Sequence, residues 1–277
     1  MTPDKPTITL NDGHDMPRRG FGVWQIANNE TAQAVKEAIG AGYRLIDTAA
    51  VYGNEAGVGK AIGQASVPRE ALFITTKLWN DSQGFDATLQ AFDHSMRLLG
   101  LKKLDLYLIH WPAPRLDAYA ESWRALIRLR EEGRVASIGV SNFNAAQIQR
   151  LADETGILPA VNQIELHPFF QQTALRAFHG QHGIVTEAWS PLGKGRILED
   201  RTLRAIAAKH GKTPAQIILR WHLENGIVAI PKSVTPARIR ANFDIDGFEL
   251  DAEDTTRIAS LDKPSGRVGP DPAHFPG

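Results

Sequence analysis

Residues able to move a proton onto a carbonyl oxygen stand at or just beyond the C-terminal ends of predicted strands: Asp47 with Tyr52 close behind it, Lys77 and His110. A tyrosine loses its proton near pH ~10 and is a feeble acid at neutrality. A cation within about 4 to 6 Å favours the phenolate, so Lys77 is expected to lower the Tyr52 pKa by roughly 1 to 3. Asp47 would hold that ammonium in place, and His110 would donate a hydrogen bond to the substrate oxygen. No side chain supplies hydride, so the set calls for a nicotinamide cofactor. Trp189 offers a stacking face for it, while Ser141, Asn142 and Gln163 offer the donors and acceptors a carboxamide needs. Singly, each residue has a structural reading as good as its catalytic one: Asp47 as a turn cap, Lys77 as an ordinary ion-pair partner, His110 as a core histidine. Their joint placement argues for chemistry.

A second cluster lies near the end of the chain. Ile230-Pro231-Lys232-Ser233-Val234-Thr235-Pro236-Ala237-Arg238 closes a strand and opens a helix, where barrels often bind phosphate. Lys232, Ser233 and Arg238 are donors there. Charge-assisted hydrogen bonds contribute roughly 1.5 to 3 kcal/mol each, so two cations on a 2′-phosphate would favour NADPH over NADH at least about tenfold. A solvated basic helix start is the alternative reading. Lys77 also has a rival role as the Schiff-base lysine of an aldolase, but imine formation needs a neutral amine and Asp47 keeps it charged. A non-catalytic NADPH-binding sensor barrel stays open beside the enzyme reading. Glu165 and His167 could face one side of a strand as metal ligands, yet no third ligand accompanies them and no metal site is expected.

The elements that must position these residues follow a regular rhythm. Leu45–Asp47, Leu72–Lys77, Leu106–His110, Ser137–Val140, Val161–Glu165, Ile184–Trp189 and Ile227–Ile230 read as strands, with a shorter run at Gly22–Trp24 as the eighth. Helical patterns such as Thr31–Ile39, Ala87–Leu99, Tyr119–Arg130 and Ala145–Ala152 separate them, one unit every 25 to 30 residues or so. Eight units predict a (β/α)8 TIM barrel, whose functional groups gather at the C-terminal ends of the strands. Thr7–Leu10, followed by Asn11-Asp12-Gly13, predicts an N-terminal β-hairpin capping the barrel floor. Thr213-Pro214 and Pro236 open helices near the C-terminus, two more than the eight-unit count requires. A doubly wound sheet would carry a Gly-rich turn after its first strand. Gly57-Val58-Gly59-Lys60 lacks the third glycine and the following Ser or Thr, and is expected to be helical.

Composition sets the outer limits. The 277 residues are 43% apolar and 22% charged, enough for a full core, and no linker divides them, so residues 1–277 are expected to form one domain. Thirty-one Lys and Arg balance 31 Asp and Glu, which removes the basic field of a nucleic-acid binder. With no cysteine, disulfides, thiolate metal sites and cysteine nucleophiles are excluded. Met1 to Leu10 lacks an apolar signal region, and no apolar run approaches the roughly 20 residues of a membrane span, so a cytoplasmic location is expected.

Three motifs, taken together, are similar to those of the aldo-keto reductases. They are Gly42-Tyr43-Arg44-Leu45-Ile46-Asp47-Thr48-Ala49 with Tyr52 and Glu55; Leu106-Tyr107-Leu108-Ile109-His110-Trp111-Pro112 leading to Gly139-Val140-Ser141-Asn142-Phe143; and Ile230-Pro231-Lys232-Ser233 with Arg238 and Asn242. The resemblance spans essentially the whole chain. It is nearest to bacterial 2,5-diketo-D-gluconic acid reductases through Ile74-Thr75-Thr76-Lys77-Leu78-Trp79-Asn80, the run Val161 to Pro168, and Gly211 to Gln216. It implies a monomeric barrel, NADPH in an extended pose, and a tetrad of Asp47, Tyr52, Lys77 and His110 with Tyr52 as the acid. It also implies Trp189 under the nicotinamide, Ser190, Pro191, Leu192 and Gly193 along the pyrophosphate, and Lys232, Ser233, Val234 and Arg238 around the adenosine phosphate. Asn242 would contact the adenine. Trp24, Val51, Trp79 and Trp111, with His110, would line a pocket for a small carbonyl substrate: 2,5-diketo-D-gluconate going to 2-keto-L-gulonate, methylglyoxal, or a β-keto ester. The chain departs from the pattern at Ala136, where a basic residue is usual, and at Ala241, where a Glu is frequent beside Asn242. The Gly and Pro content of Ser265–Gly277 leaves the path of the tail unpredicted.

Overall fold

A computed structural model describes residues 5–275. Two expectations fall in part outside the described residues, at residues 1–4 of the N-terminal start and at Pro276 and Gly277 of the tail. The first strands, β1 (Thr7–Thr9) and β2 (Asp15–Pro17), pair antiparallel as the expected hairpin. Eight parallel strands then follow in sequence order around a nearly closed barrel: β3 (Gly20–Gly22), β4 (Leu45–Asp47), β5 (Phe73–Leu78), β6 (Leu104–Ile109), β7 (Val135–Ser141), β8 (Val161–Glu165), β9 (Val185–Trp189) and β10 (Val228–Ala229). The ring closes where Arg19 bridges in parallel to Ala229 and where the Gly22 amide donates to Pro231 O at 3.2 Å. Gly20 sits at that seam because a Cβ there would lie 2.6 Å from side-chain atoms of both Ile230 and Leu45.

The period of two along each strand sorts side chains into two cores. Leu45, Phe73, Leu106, Leu108, Val161, Val185, Val228 and Ile230 point inward and pack with Leu10 and Met16 of the hairpin, which closes the barrel floor. The alternate residues Phe21, Ile46, Ile74, Tyr107, Ile109, Ile138 and Val140 point outward and pack against helices. Ten helices occur among the described residues: α1 (Asn28–Ala41), α2 (Glu55–Gly63), α3 (Phe85–Leu99), α4 (Tyr119–Glu131), α5 (Ala145–Thr155), α6 (Thr173–Gln181), α7 (Arg201–His210), α8 (Pro214–Glu224), α9 (Pro236–Phe243) and α10 (Ala252–Ala259). Helix α3 shows why they form: Thr88, Phe92, Ser95, Met96 and Leu99 recur at helical spacing and make its buried stripe.

Two helices exceed the strand count, as expected, and packing decides which. Helix α8 lies on β10 and neighbours α9, which packs on α1 and so completes the ring, while α7 and α10 pack on each other outside it. The Thr213-Pro214 and Pro236 signals thus open ring helices rather than the additions. Thr213 caps α8 in a reciprocal pair with Gln216, as its position before Pro214 leads one to expect. Gly57 to Lys60 lie in α2.

Strand bounds shift by a residue or two from the sequence reading at β5, β6, β7, β9 and β10, and the first barrel strand shifts as a whole. The first barrel strand covers Gly20–Gly22, not Gly22–Trp24. Its pairing with β4 runs out after the Val23 amide donates to Asp47 O at 3.1 Å, and Gln25, at φ 58°, turns the chain away with Trp24 left 41% exposed. No helix of the described residues is long and apolar enough to cross a membrane.

Candidate active site

Neighbouring strands bring the tetrad together. Asp47 ends β4, Lys77 lies near the end of β5, and His110 follows β6 directly, while Tyr52 belongs to a short 3-10 turn, Ala50–Tyr52, in the loop after β4. Lys77 Nζ donates to Asp47 Oδ1 at 2.6 Å and to Thr48 O at 2.9 Å, with both charged side chains buried. The same ammonium lies 5.2 Å from the centre of the Tyr52 ring, whose edge meets the His110 ring at a centroid distance of 5.6 Å. Burial pulls Lys77 down, but Asp47, Tyr52 and Glu187 together outweigh it and hold the amine above its ordinary value. A protonated lysine cannot open imine chemistry, which removes the structural basis of the aldolase reading.

The electrostatics of Tyr52 correct one expectation. Burial pushes the phenol up, the Lys77 ammonium pulls it down by less, and Asp47 and Glu187 add to the upward side, so the net shift is a rise rather than a fall. The cation is where the sequence reading put it; what that reading omitted is the cost of a phenolate in a water-poor site flanked by two carboxyl groups. Tyr52 is thereby kept as the protonated phenol. His110 is held well below its usual range by burial and then by Lys77, so it is a neutral imidazole. Neither of its ring nitrogens is hydrogen-bonded among the described residues, and Nδ1 is buried without a partner. An imidazole in that state has one N–H to offer an oxygen placed beside Tyr52.

A second ring of polar groups surrounds this centre. Gln163 on β8 donates from Nε2 to Asp47 Oδ2 and to Glu187 Oε2, both at 2.8 Å. Ser141 Oγ donates to Gln163 O at 2.8 Å. Asn142, in the left-handed region at φ 66°, donates to His110 O and Ser141 Oγ, both at 3.0 Å, and accepts from Trp189 Nε1 at 2.8 Å. The indole of Trp189 is therefore fixed in orientation. Among the side-chain polar atoms of Ser141, Asn142 and Gln163, only Gln163 Oε1 carries no hydrogen bond within the described residues. After β9, Ser190 takes φ 47° and the Gly193 amide returns to Ser190 O at 2.8 Å, so Ser190, Pro191, Leu192 and Gly193 form a tight turn over the mouth. Lys194 Nζ lies 5.2 Å from the centre of the Trp24 ring and 3.4 Å from Val268 O, which ties that turn to the loop after β3 and to the tail.

The basic cluster is separate from the tetrad. Lys232, Val234 and Arg238 are exposed and Ser233 is buried, its Oγ accepting from the Thr235 amide at 3.1 Å ahead of α9. Neither cation has an ion pair among the described residues. Asn242, half-buried in α9, lines a narrow crevice with Arg19 and Tyr43.

Of the pocket residues, Trp79 packs edge-on against His110 at 5.2 Å and Trp111 lies nearly parallel to it at 6.4 Å. Trp24 and Val51 are exposed at the rim. Sequence reasoning missed Phe275, whose ring lies 4.3 Å from Trp111 and 6.3 Å from Trp79, because nothing local predicts that the tail crosses the mouth. Glu165 explains the crossing: buried on β8, it accepts from the Val268 amide at 2.5 Å and the Gly269 amide at 2.8 Å, with His167 Nε2 3.1 Å away. Gly269 is required there, since a Cβ would lie 2.4 Å from Trp189. The Glu165 and His167 pair weighed as metal ligands is thus a tail anchor, and no cluster of three or more His, Asp or Glu able to hold a metal occurs among the described residues. Sequence reasoning also missed Glu187; its position two residues before Trp189 on a strand places both on the interior face, a signal that was available.

Comparison with known proteins places this geometry. Residues 18–263 match the model of the aldo/keto reductase family. The chain is 52% identical over 272 residues to the methylglyoxal reductase DkgA of Escherichia coli K12, covering 98% of each chain. Among solved structures, a Gox0644 variant in complex with NADPH superposes with a TM-score of 0.94 at 53% identity, covering 97% of this chain and 98% of that one. An aldo/keto reductase from Brucella melitensis gives 0.90 at 60% identity, covering 93% and 99%. A barrel with these four residues at its mouth, matched along nearly its whole length at more than half identity, belongs to the aldo/keto reductase family.

Proposed function

We propose that this chain is an NADPH-dependent reductase of small carbonyl compounds, acting as one domain over residues 1–277, with Tyr52 as the general acid. The observation that carries the proposal is the line from buried Asp47 and Lys77 to half-buried Tyr52, with a neutral His110 beside it. The residues present fit the cofactor. Trp189 supplies a ring face held by Asn142, and among the described residues Gln163 Oε1 is an acceptor with no partner and Lys232 and Arg238, at the start of α9, are cations without an ion pair. Ser141 and Asn142 would take up a carboxamide by exchanging internal hydrogen bonds for new ones. Ser190, Pro191, Leu192 and Gly193 would lie along the pyrophosphate, Lys232, Ser233, Val234 and Arg238 around the 2′-phosphate, and Asn242 against the adenine.

When bound, NADPH supplies hydride to the carbonyl carbon. The chain does the rest. His110 donates its N–H to the substrate oxygen and polarises the carbonyl. Tyr52, protonated because burial outweighs the ammonium, gives its proton to that oxygen as negative charge develops, and Lys77 stabilises the phenolate left behind. Asp47 and Thr48 O keep the ammonium within reach. Solvent then returns a proton to Tyr52. Trp24, Val51, Trp79 and Trp111, with Phe275 from the tail, make an aromatic pocket that excludes water and suits compact dicarbonyls.

DkgA of E. coli, named a methylglyoxal reductase, supports methylglyoxal as a substrate, and the sequence resemblance supports 2,5-diketo-D-gluconate and β-keto esters. The protein is further proposed to act as a cytoplasmic monomer. Steady NADPH oxidation with methylglyoxal, 2,5-diketo-D-gluconate or ethyl acetoacetate, compared by kcat/KM, tests the reading and ranks the substrates. Tight NADPH binding without turnover on any of them would leave a sensor barrel instead. Sedimentation analysis tests the monomer.

A further inference from the structure

The interior of the barrel holds a buried carboxyl group that the mechanism above does not use. Glu187 lies on β9 with no exposed surface, and its Oε1 has no hydrogen-bond partner among the described residues. Its Oε2 accepts from the same Gln163 nitrogen that donates to Asp47 Oδ2, each at 2.8 Å. One neutral amide thus bridges two carboxyl groups in a dry site. Two full negative charges sharing such a bridge repel, and the arrangement is stable when one of the pair keeps a proton. Asp47 has the Lys77 ammonium at 2.6 Å, whereas no cation among the described residues pairs with Glu187, so the proton belongs on Glu187. The titratable groups facing it are Asp47 on β4, Tyr52 in the following loop and Lys77 on β5; Gln163 on β8 adds a neutral donor, and β10 sets apolar Val228 opposite it.

We propose that Glu187 is a positioning residue that works as a neutral carboxylic acid, pinning the Gln163 amide beside the reacting centre, and that its ionisation in alkaline solution weakens Tyr52 as a proton donor. The proposal rests on the reading of Tyr52 as the acid. Burial, and then the charge of Asp47, push Glu187 up to about 8, against smaller pulls from Gln163 and Lys77. Ionisation releases one proton to solvent and leaves a negative charge within the barrel, which acts on Tyr52 in the direction that makes a phenol hold its proton more tightly. The anchored amide has a second consequence: with Nε2 held at both hydrogens, Gln163 can only turn its oxygen toward a ligand, which makes the group an acceptor of fixed orientation.

Full-length wild type, Glu187→Gln and Glu187→Leu separate these effects. The Gln variant keeps the shape and cannot ionise. Infrared difference spectra taken as the pH is raised from neutrality should lose a protonated-carboxyl C=O band in the wild type, and the band should be missing in Glu187→Gln; a wild type without such a band overturns the proposal. In NADPH-dependent reduction, kcat of the wild type should fall about three- to tenfold from pH 7 to pH 9.5 while Glu187→Gln stays level. Superimposable pH profiles overturn it, because a purely structural glutamate would not move them. Glu187→Leu should raise KM for NADPH more than Glu187→Gln does, and equal values would refute the pinning of Gln163. If no variant oxidises NADPH, the reductase reading fails by itself, and the infrared band still decides whether Glu187 carries the proton.

Discussion

At the floor of the barrel, Leu45, Leu106, Leu108, Val161 and Val228 meet Leu10 and Met16 in a dry apolar plug, whereas two residues further along the same strands stand Asp47, His110 and Gln163. The inward period of two is unchanged from one end to the other, and only the residue type switches. The floor contributes burial free energy and carries no charge; its polar side chains at the level of Leu106 are the small hydroxyls of Thr75 and Ser137. The mouth buries Asp47, Lys77 and Glu187 at an electrostatic cost offset by contacts at 2.6 to 2.9 Å, and it accepts left-handed backbone at Asn142 and Ser190. The lesson is that stability and chemistry are separable along the barrel axis, so a change at one end should register in one observable and leave the other nearly intact.

The largest expected effect is at the mouth. Tyr52→Phe removes the proposed proton donor and should lower kcat about 10²- to 10⁴-fold with the melting temperature unchanged, measured by steady-state kinetics and calorimetry on the same sample. Lys77→Met tests how cleanly the two ends separate, because it strips the charge partner from buried Asp47. It should cost about 3–5 kcal/mol of stability as well as activity, and the double variant with Asp47→Asn should recover much of the stability and none of the rate in denaturant titrations. Leu106→Ala at the floor should cost about 2–5 kcal/mol with kcat/KM per folded molecule preserved; a large loss of rate there would break the comparison.

Smaller effects sharpen the picture. Arg238→Ala and Lys232→Ala should each shift the preference for NADPH over NADH by about tenfold through KM, with kcat little changed, since both cations lie away from the tetrad. The smallest effect concerns pH. Glu187 is pushed up to about 8 from an ordinary 4.5, so its contribution to stability is complete below the unfolded value and is lost as pH rises from 4.5 to about 8. Glu187→Gln should therefore flatten the decline of Tm across that interval, read by calorimetry from pH 5 to pH 8.

Much of this is legible in the sequence. The strand rhythm, the hairpin and the tetrad depend on local patterning and on residue type at strand ends, which a linear sequence carries directly. The boundary at Gly20–Gly22 is not, because it depends on where the seam to Ala229 closes. The direction of the Tyr52 shift was misjudged for a related reason: a nearby cation can be inferred from position in the chain, but the depth of burial and the additional carboxyl group of Glu187 are sums over several strands. Glu165 was weighed as a metal ligand because its partners, the amides of Val268 and Gly269, lie about a hundred residues away.

The amino-acid sequence by itself determined the barrel, the apolar floor and which four side chains could carry a proton to a carbonyl oxygen, since each follows from alternation and side-chain chemistry repeated at short range. Tertiary structure alone decided the protonation states, the bridge from Asp47 through Gln163 to Glu187, and the passage of Phe275 across the mouth. Those are long-range properties. The free energy of a charge depends on everything within several ångströms of it, and in a closed barrel that surrounding is assembled from strands far apart in the chain.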